Sequence, residues 1–254
     1  MKIKLGMTFL LGLMVLGWVW GCAKKIPDDQ KTDDVLLAEA SELFQNEDYE
    51  LAIQKYQTLK GLYPLSSHVI EAEFQIGESY FRLKKWPEAV SSFESFDKLH
   101  PRHEKTELAL FKIGLSYKND APAAIDRDQK NLEKALKVFT RLINEYPDGE
   151  QINPAKEESV KIRKSLATRI IYIGNFYYKR KKWNAALDRF KDIASSYADM
   201  GFEEEMFIKI GVCYRELHDL EKAKQVLSGY LKNYPSGKYV DQAQKILEKI
   251  GDTP

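Results

Sequence analysis

The sequence predicts an all-α protein, a superhelix of five stacked helix hairpins, on three observations. A five-residue phrase occurs four times: Ile76-Gly77-Glu78-Ser79-Tyr80, Ile113-Gly114-Leu115-Ser116-Tyr117, Ile173-Gly174-Asn175-Phe176-Tyr177 and Ile210-Gly211-Val212-Cys213-Tyr214. The glycine position recurs every 37 residues where the period is unbroken, from Ala40 to Gly77, Gly77 to Gly114 and Gly174 to Gly211. Each copy is followed by an alanine, an apolar residue four further on, and in most copies an aromatic-proline stop. Repetition at this period settles the architecture first, because a repeat unit buries its apolar face only against its neighbours.

Each hairpin fits one frame. In the first, residues 34–66, Ala40 holds the glycine position and Leu43, Tyr49, Ala52, Tyr56, Leu59 and Tyr63-Pro64 follow. The second, residues 71–103, places Gly77 where two helices cross closely, with Tyr80 on the same face. A tight turn around Lys84-Lys85-Trp86 leads to the stripe Ala89, Phe93, Phe96. Leu99-His100-Pro101 ends it, since proline cannot continue a helix and biases its predecessor away from it. The third, residues 107–149, runs Gly114, Tyr117, Ala135, Phe139, Leu142, Tyr146-Pro147. The fourth, residues 154–200, runs Gly174, Tyr177, Trp183, Ala186, Phe190, Ile193, Tyr197-Ala198; without a proline, its second helix is expected to run longer. The fifth, residues 204–250, runs Gly211, Tyr214, Leu220, Ala223, Leu227, Tyr230, Tyr234-Pro235.

Two insertions break the period. The polar segment Lys118 to Asn131 reads as a protruding loop. Asn153-Pro154 reads as a helix start, with proline at the first helical position, and predicts a long first helix in the fourth repeat, ending near Lys179. The frame resembles the tetratricopeptide repeat, whose unit is about 34 residues. That resemblance implies a right-handed superhelix whose concave groove is lined by the first helix of each pair.

Lys2 and Lys4 precede an apolar run from Leu5 to Trp20, too short for a comfortable membrane span. The run stops at Val19-Trp20-Gly21-Cys22, which resembles a lipobox. Residues 1–21 are therefore expected to be a lipoprotein signal peptide and Cys22 the lipidated N-terminus. Acyl chains contribute about 0.8 kcal/mol per buried CH2, so two or three hold stably. Ala23 after the cysteine, by resemblance to bacterial lipoproteins, implies the periplasmic face of the outer membrane. Residues 22–33, polar with Pro27, are expected to be a flexible tether.

Charge excludes little, but it gives no support to nucleic-acid binding: the net charge of +1 falls to about −1 once Lys2 and Lys4 are removed. The run Lys179-Arg180-Lys181-Lys182 reads as a solvated turn, or else as a patch for lipid headgroups or an acidic partner. None of the four histidines, His68, His100, His103 and His218, has a cysteine or acid at zinc spacing. No phosphate-binding glycine loop or Gly-x-Ser-x-Gly elbow is present. No catalytic residue, metal ligand or cofactor is expected. Cys213 is expected to be a buried thiol.

Counting from the glycine position, the groove-facing residues fall three before, one after and four after. This assigns Leu37, Phe44, Phe74, Phe81, Phe111 and Leu115 to a peptide-binding groove in the first three repeats. Exposed phenylalanines in a groove call for a cover: an extended peptide with aromatic side chains, the superhelix itself, or the N-terminal tether.

The lipobox, the 37-residue spacing, the enlarged third repeat and the phrases Asp126-Arg127-Asp128-Gln129 and Glu145-Tyr146-Pro147-Asp148 together resemble the BamD (ComL/YfiO) family of outer-membrane β-barrel assembly lipoproteins. The resemblance covers residues 34–245. It implies a scaffold subunit whose N-terminal repeats receive unfolded barrel precursors and whose C-terminal repeats dock the barrel-forming subunit, with accessory lipoproteins as further partners. It also points to Arg189, beside Asp188, as a partner interface. A different envelope adaptor, in pilus assembly or associated with peptidoglycan, is the alternative.

Overall fold

A computed structural model describes residues 26–251. Cys22 and the signal segment lie outside the described residues. Among those described there are eleven α-helices: α1 (Asp33–Gln45), α2 (Tyr49–Leu62), α3 (His68–Arg82), α4 (Trp86–Leu99), α5 (Thr106–Asp120), α6 (Lys130–Glu145), α7 (Ile152–Lys179), α8 (Trp183–Ser196), α9 (Glu203–Glu216), α10 (Leu220–Asn233) and α11 (Val240–Gly251). Each helix packs on the next in chain order, and the first helices of successive pairs also touch, as α1 and α3 or α3 and α5 do. The result is an all-helical superhelix of hairpins, with α11 resting on α9 and α10.

The contact inside each hairpin is a large second-helix side chain laid on a first-helix glycine or alanine. A Cβ placed on Gly77 would stand 2.8 Å from the Phe93 ring, and one on Gly114 would sit closer still to Phe139. Phe190 and Leu227 occupy the same place over Gly174 and Gly211. In the first pair Ala40 suffices, and Ala40 and Tyr56 are both buried. These second-helix side chains are almost fully buried, so they cannot move aside without opening a void.

The hairpin turns are closed without glycine. Glu47, Lys84, Lys181 and His218 all have positive φ, between 57° and 64°, each seven residues after the glycine position. The left-handed conformation disfavours such residues by about 1–2 kcal/mol. A returning backbone bond of helix-ending type compensates: Asp48 N–H donates to Leu43 O at 2.9 Å, and Lys85 to Tyr80, Lys182 to Tyr177 and Asp219 to Tyr214 at 3.0 Å. In three turns an edge-on aromatic pair clamps the two helices as well: Phe44–Tyr49, Phe81–Trp86 and Tyr178–Trp183, with centroids 5.2, 5.3 and 5.2 Å apart.

The second helices stop at an aromatic residue. Tyr63, His100, Tyr146, Tyr197 and Tyr234 leave helical geometry with φ of −127°, −128°, −126°, −136° and −130°. The fourth copy was expected to continue for want of a proline, but α8 ends at Ser196 like the others. There Arg163 of α7 lies over the Tyr197 ring, donates to the Ser196 carbonyl at 3.1 Å and pairs with Asp199. A side chain from the preceding helix thus replaces the proline.

Two further expectations are corrected. The tether assigned to residues 22–33 is already part of the folded body by Asp28. Asp28–Gln30 form a 3-10 turn, and Lys31, 7% exposed, bonds Asp28 at 2.9 Å and Glu39 at 2.8 Å. Lys55 of α2 reaches the same two carboxylates, and the Tyr63 hydroxyl donates to the Lys31 carbonyl. The loop expected from Lys118 to Asn131 is shorter, because α5 runs to Asp120 and α6 begins at Lys130. Instead of protruding it is folded back: buried Gln129 donates to the Pro122 and Ala124 carbonyls, both at 3.1 Å.

The long first helix of the fourth repeat spans 28 residues and belongs to two cores. Ala155, Ile162 and Leu166 pack with α3 to α6, while Ala167 packs with α8 and α9.

Gly114→Ala is expected to destabilise the fold by about 1–3 kcal/mol in urea denaturation, as overpacking does. Gly61→Ala, in a helical position with nothing within 4 Å, is expected to stabilise by about 0.5–1 kcal/mol. The Asp28 carboxyl is held down to about 2 by hydrogen bonds from Lys55 and Lys31. A depressed folded-state value adds stability above the unfolded-state pKa that is lost as pH falls, here between about pH 4 and pH 2. Asp28→Asn is expected to lower the unfolding midpoint at neutral pH and to flatten its dependence across that window.

Candidate partner-binding surfaces

The groove assignment divides when side chains are placed. Phe74 is 5% exposed and stands edge-on to Phe93 and Phe96, with centroids 5.6 and 5.5 Å away. It is a core residue rather than a groove residue, because Phe93 and Phe96 of the second helix of its own pair enclose it. Phe44 and Phe81 are half-buried and form the clamps described above. Phe111 is half-buried against Phe139 at 5.7 Å, and Leu37 and Leu115 are half-buried beside their own cores. The remaining face is therefore apolar but shallow.

Cations from the following repeat cover part of it. Lys112 Nζ stands 4.2 Å from the centre of the Phe81 ring and 2.8 Å from Glu78, which also accepts from Arg82 at 2.8 Å. Lys105 lies over Phe74 and pairs with Glu71. These contacts join residues 34 apart, so they tie first helix to first helix along the stack.

Arg189 and Asp188 both lie exposed on α8. The guanidinium faces Asp192 at 3.5 Å rather than Asp188. Both ends of this pair are about half exposed, so it contributes little stability and remains accessible.

A cleft of about 530 Å³ opens between the 121–129 loop and α7. Its floor is Ala121, Pro122, Ile125, Leu132 and Ile162, and its rim carries Lys118, Lys161, Lys164 and Arg169. Lys118 and Lys161 are both matched by Glu158, while Arg169 donates to the Arg127 carbonyl at 3.1 Å. The cleft continues into an exposed stripe on α7, Val160, Lys164, Thr168, Tyr172 and Phe176, at four-residue spacing, which Arg180 extends just past the helix end. Reading only the groove positions missed this stripe. Its signal stood in the repeated phrase: two residues after the glycine, three copies have Ser79, Ser116 and Cys213, and the fourth has Phe176.

Among the described residues no group of three or more His, Cys, Asp or Glu side chains converges as a metal site would, and no helix is long and apolar enough to cross a membrane. Cys213 is fully buried in α9.

Paired helices with an aromatic ring over a small residue, stacked at regular spacing, define a helical-repeat scaffold of the tetratricopeptide kind, and the tetratricopeptide repeat model matches residues 205–237. The model of the outer membrane lipoprotein family YfiO matches residues 29–217, and the chain belongs to that family. It is 26% identical to the outer membrane protein assembly factor BamD of Neisseria gonorrhoeae, over 94% of each chain. It is 24% identical to BamD of Vibrio cholerae, over 75% of this chain and 83% of that one. Among solved structures, the TPR2AB domain of yeast Sti1, in its pHSP90 complex, is similar with a TM-score of 0.40 and 12% identity, over 87% of this chain and 98% of that one.

Burial pushes the Cys213 thiol up to about 12. The native protein at mildly alkaline pH is therefore expected to leave Cys213 unmodified by a thiol reagent, with modification appearing on denaturation. Peptide mapping by mass spectrometry checks this and separates it from Cys22.

Proposed function

We propose that this chain is the lipid-anchored scaffold subunit of an outer-membrane β-barrel assembly complex, tethered through Cys22 at the periplasmic face. The observation that carries this reading is the family match over residues 29–217, joined to relatives named as outer membrane protein assembly factors along most of their length. The fold suits the role, since a stack of hairpins offers a long curved surface to other polypeptides.

In this reading the first three repeats receive unfolded barrel precursors. Leu37, Phe44, Phe81, Phe111 and Leu115 supply half-buried apolar contacts, and Lys112 supplies a cation above Phe81. Such a surface takes an extended strand with alternating aromatic side chains and a carboxylate. The C-terminal repeats hold the barrel-forming subunit, with Arg189 on α8 facing an acidic group there. No bond-making chemistry is assigned to the chain.

Affinity isolation from detergent-solubilised envelope tests the assignment. A barrel-forming subunit is expected to co-purify, with recovery reduced several-fold by Arg189→Glu. Isolation of a secretin or a murein hydrolase instead would place the chain in another envelope assembly. For the groove, Leu115→Glu is expected to weaken binding of a labelled C-terminal barrel-strand peptide about tenfold while the melting temperature shifts by only a few degrees. Unchanged peptide affinity would remove the groove from the reading.

A further inference from the structure

The C-terminal half of α7 stands open on the side where other first helices are covered. In α3, α5 and α9 the residue before the glycine is buried: Ile76, Ile113 and Ile210 are 7%, 2% and 6% exposed. Two after the glycine, Ser79, Ser116 and Cys213 are all 0% exposed. The second helix of the preceding pair packs on each of these first helices: α2 on α3, α4 on α5, α8 on α9. In α7 the preceding pair is engaged elsewhere, since α6 meets its N-terminal half at Ala155, Ile162 and Leu166. Ile173 is left half-buried, Tyr172 is 47% exposed and Phe176 is 44% exposed.

Small residues occupy the covered copies, and a phenylalanine occupies the open one. Arg180 lies across the exposed ring, 3.6 Å from its centre. Charge marks the same place. Lys164, Lys179, Arg180, Lys181 and Lys182 form no ion pair with a carboxylate among the described residues, whereas Lys161 and Arg163 of α7 pair with Glu158 and Asp199. The position therefore combines an apolar helix face of the kind other repeats cover with a helix and a cluster of unneutralised cations beside it.

We propose that this face of α7, centred on Tyr172, Ile173 and Phe176 and flanked by Arg180 and Lys181, docks an amphipathic helix of a partner protein bearing acidic residues. The incoming helix takes the place that α2, α4 and α8 take on their following helices. Its apolar stripe lies on Tyr172 and Phe176, and its carboxylates reach the cations at the end of α7. The residues involved are distinct from Arg189 on α8 and from the groove of the first three repeats, so the inference does not depend on the assembly role.

A photo-reactive amino acid at position 176, and separately at 172, in the full-length lipidated chain within its native envelope tests the proposal. Both positions are exposed, so the substitution leaves the core intact. Cross-linked peptides are identified by mass spectrometry. The expected result is cross-linking to one partner protein, at acidic segments with apolar residues at three- and four-residue spacing. The yield is expected to fall about tenfold when Arg180→Glu and Lys181→Glu are introduced together, and the melting temperature is expected to stay unchanged. Cross-links confined to lipid would overturn the proposal in favour of a membrane-facing role, and cross-links to a second copy of the chain would overturn it in favour of self-association. A yield no greater than from position 184, exposed on α8, or one unmoved by the double charge reversal, would also overturn it.

Discussion

The structure depends on one contact repeated along the chain: a large second-helix side chain seated on a first-helix residue that has little or no side chain of its own. Phe93 on Gly77, Phe139 on Gly114, Phe190 on Gly174 and Leu227 on Gly211 set the distance between paired helices. That distance in turn brings the flanking apolar residues into cores that run on from one hairpin into the next. Because each pair exposes a second apolar face, the next pair is needed to complete its burial, and the stack follows. Polar contacts act within hairpins, as between Tyr230 and Glu204, and also between repeats. Lys112 to Glu78 and Lys209 to Asn175 both join first helices 34 residues apart and hold the register between neighbours.

Most of the architecture was legible because a glycine at fixed spacing is a direct record of that contact. The run of α7 to Lys179 was legible for a similar reason, since helix ends have local chemistry, although the helix begins at Ile152, two residues before the expected Pro154. What stayed hidden depended on neighbours. The left-handed turns at Glu47, Lys84, Lys181 and His218 leave no glycine signal, because returning backbone bonds stabilise the conformation instead. The stop at Tyr197 comes from Arg163 on another helix. The N-terminal segment looks like a tether from its composition, yet Lys31 is drawn in by two carboxylates, one of them on α1.

The functional surface was less legible than the fold, and Phe74 shows why. Offset counting places it with Phe81 and Phe111, but counting does not measure the distance to the second helix, where Phe93 and Phe96 receive it. Phe176 shows the reverse case. Its position in the phrase is a buried one in three other copies, and only the altered coverage of α7 brings it to the surface. A repeat frame tells which positions are equivalent, and coverage by the neighbouring pair decides what each position does.

The sharing of α7 between two cores has a mechanical consequence. Its 28 residues extend about 42 Å without a break, and no linker separates the first six helices from the last four. Turning one half against the other must bend or twist a hydrogen-bonded rod rather than swing a joint. A pull on the C-terminal helices is therefore felt directly at the N-terminal end, and the two halves of the molecule keep a common orientation under load.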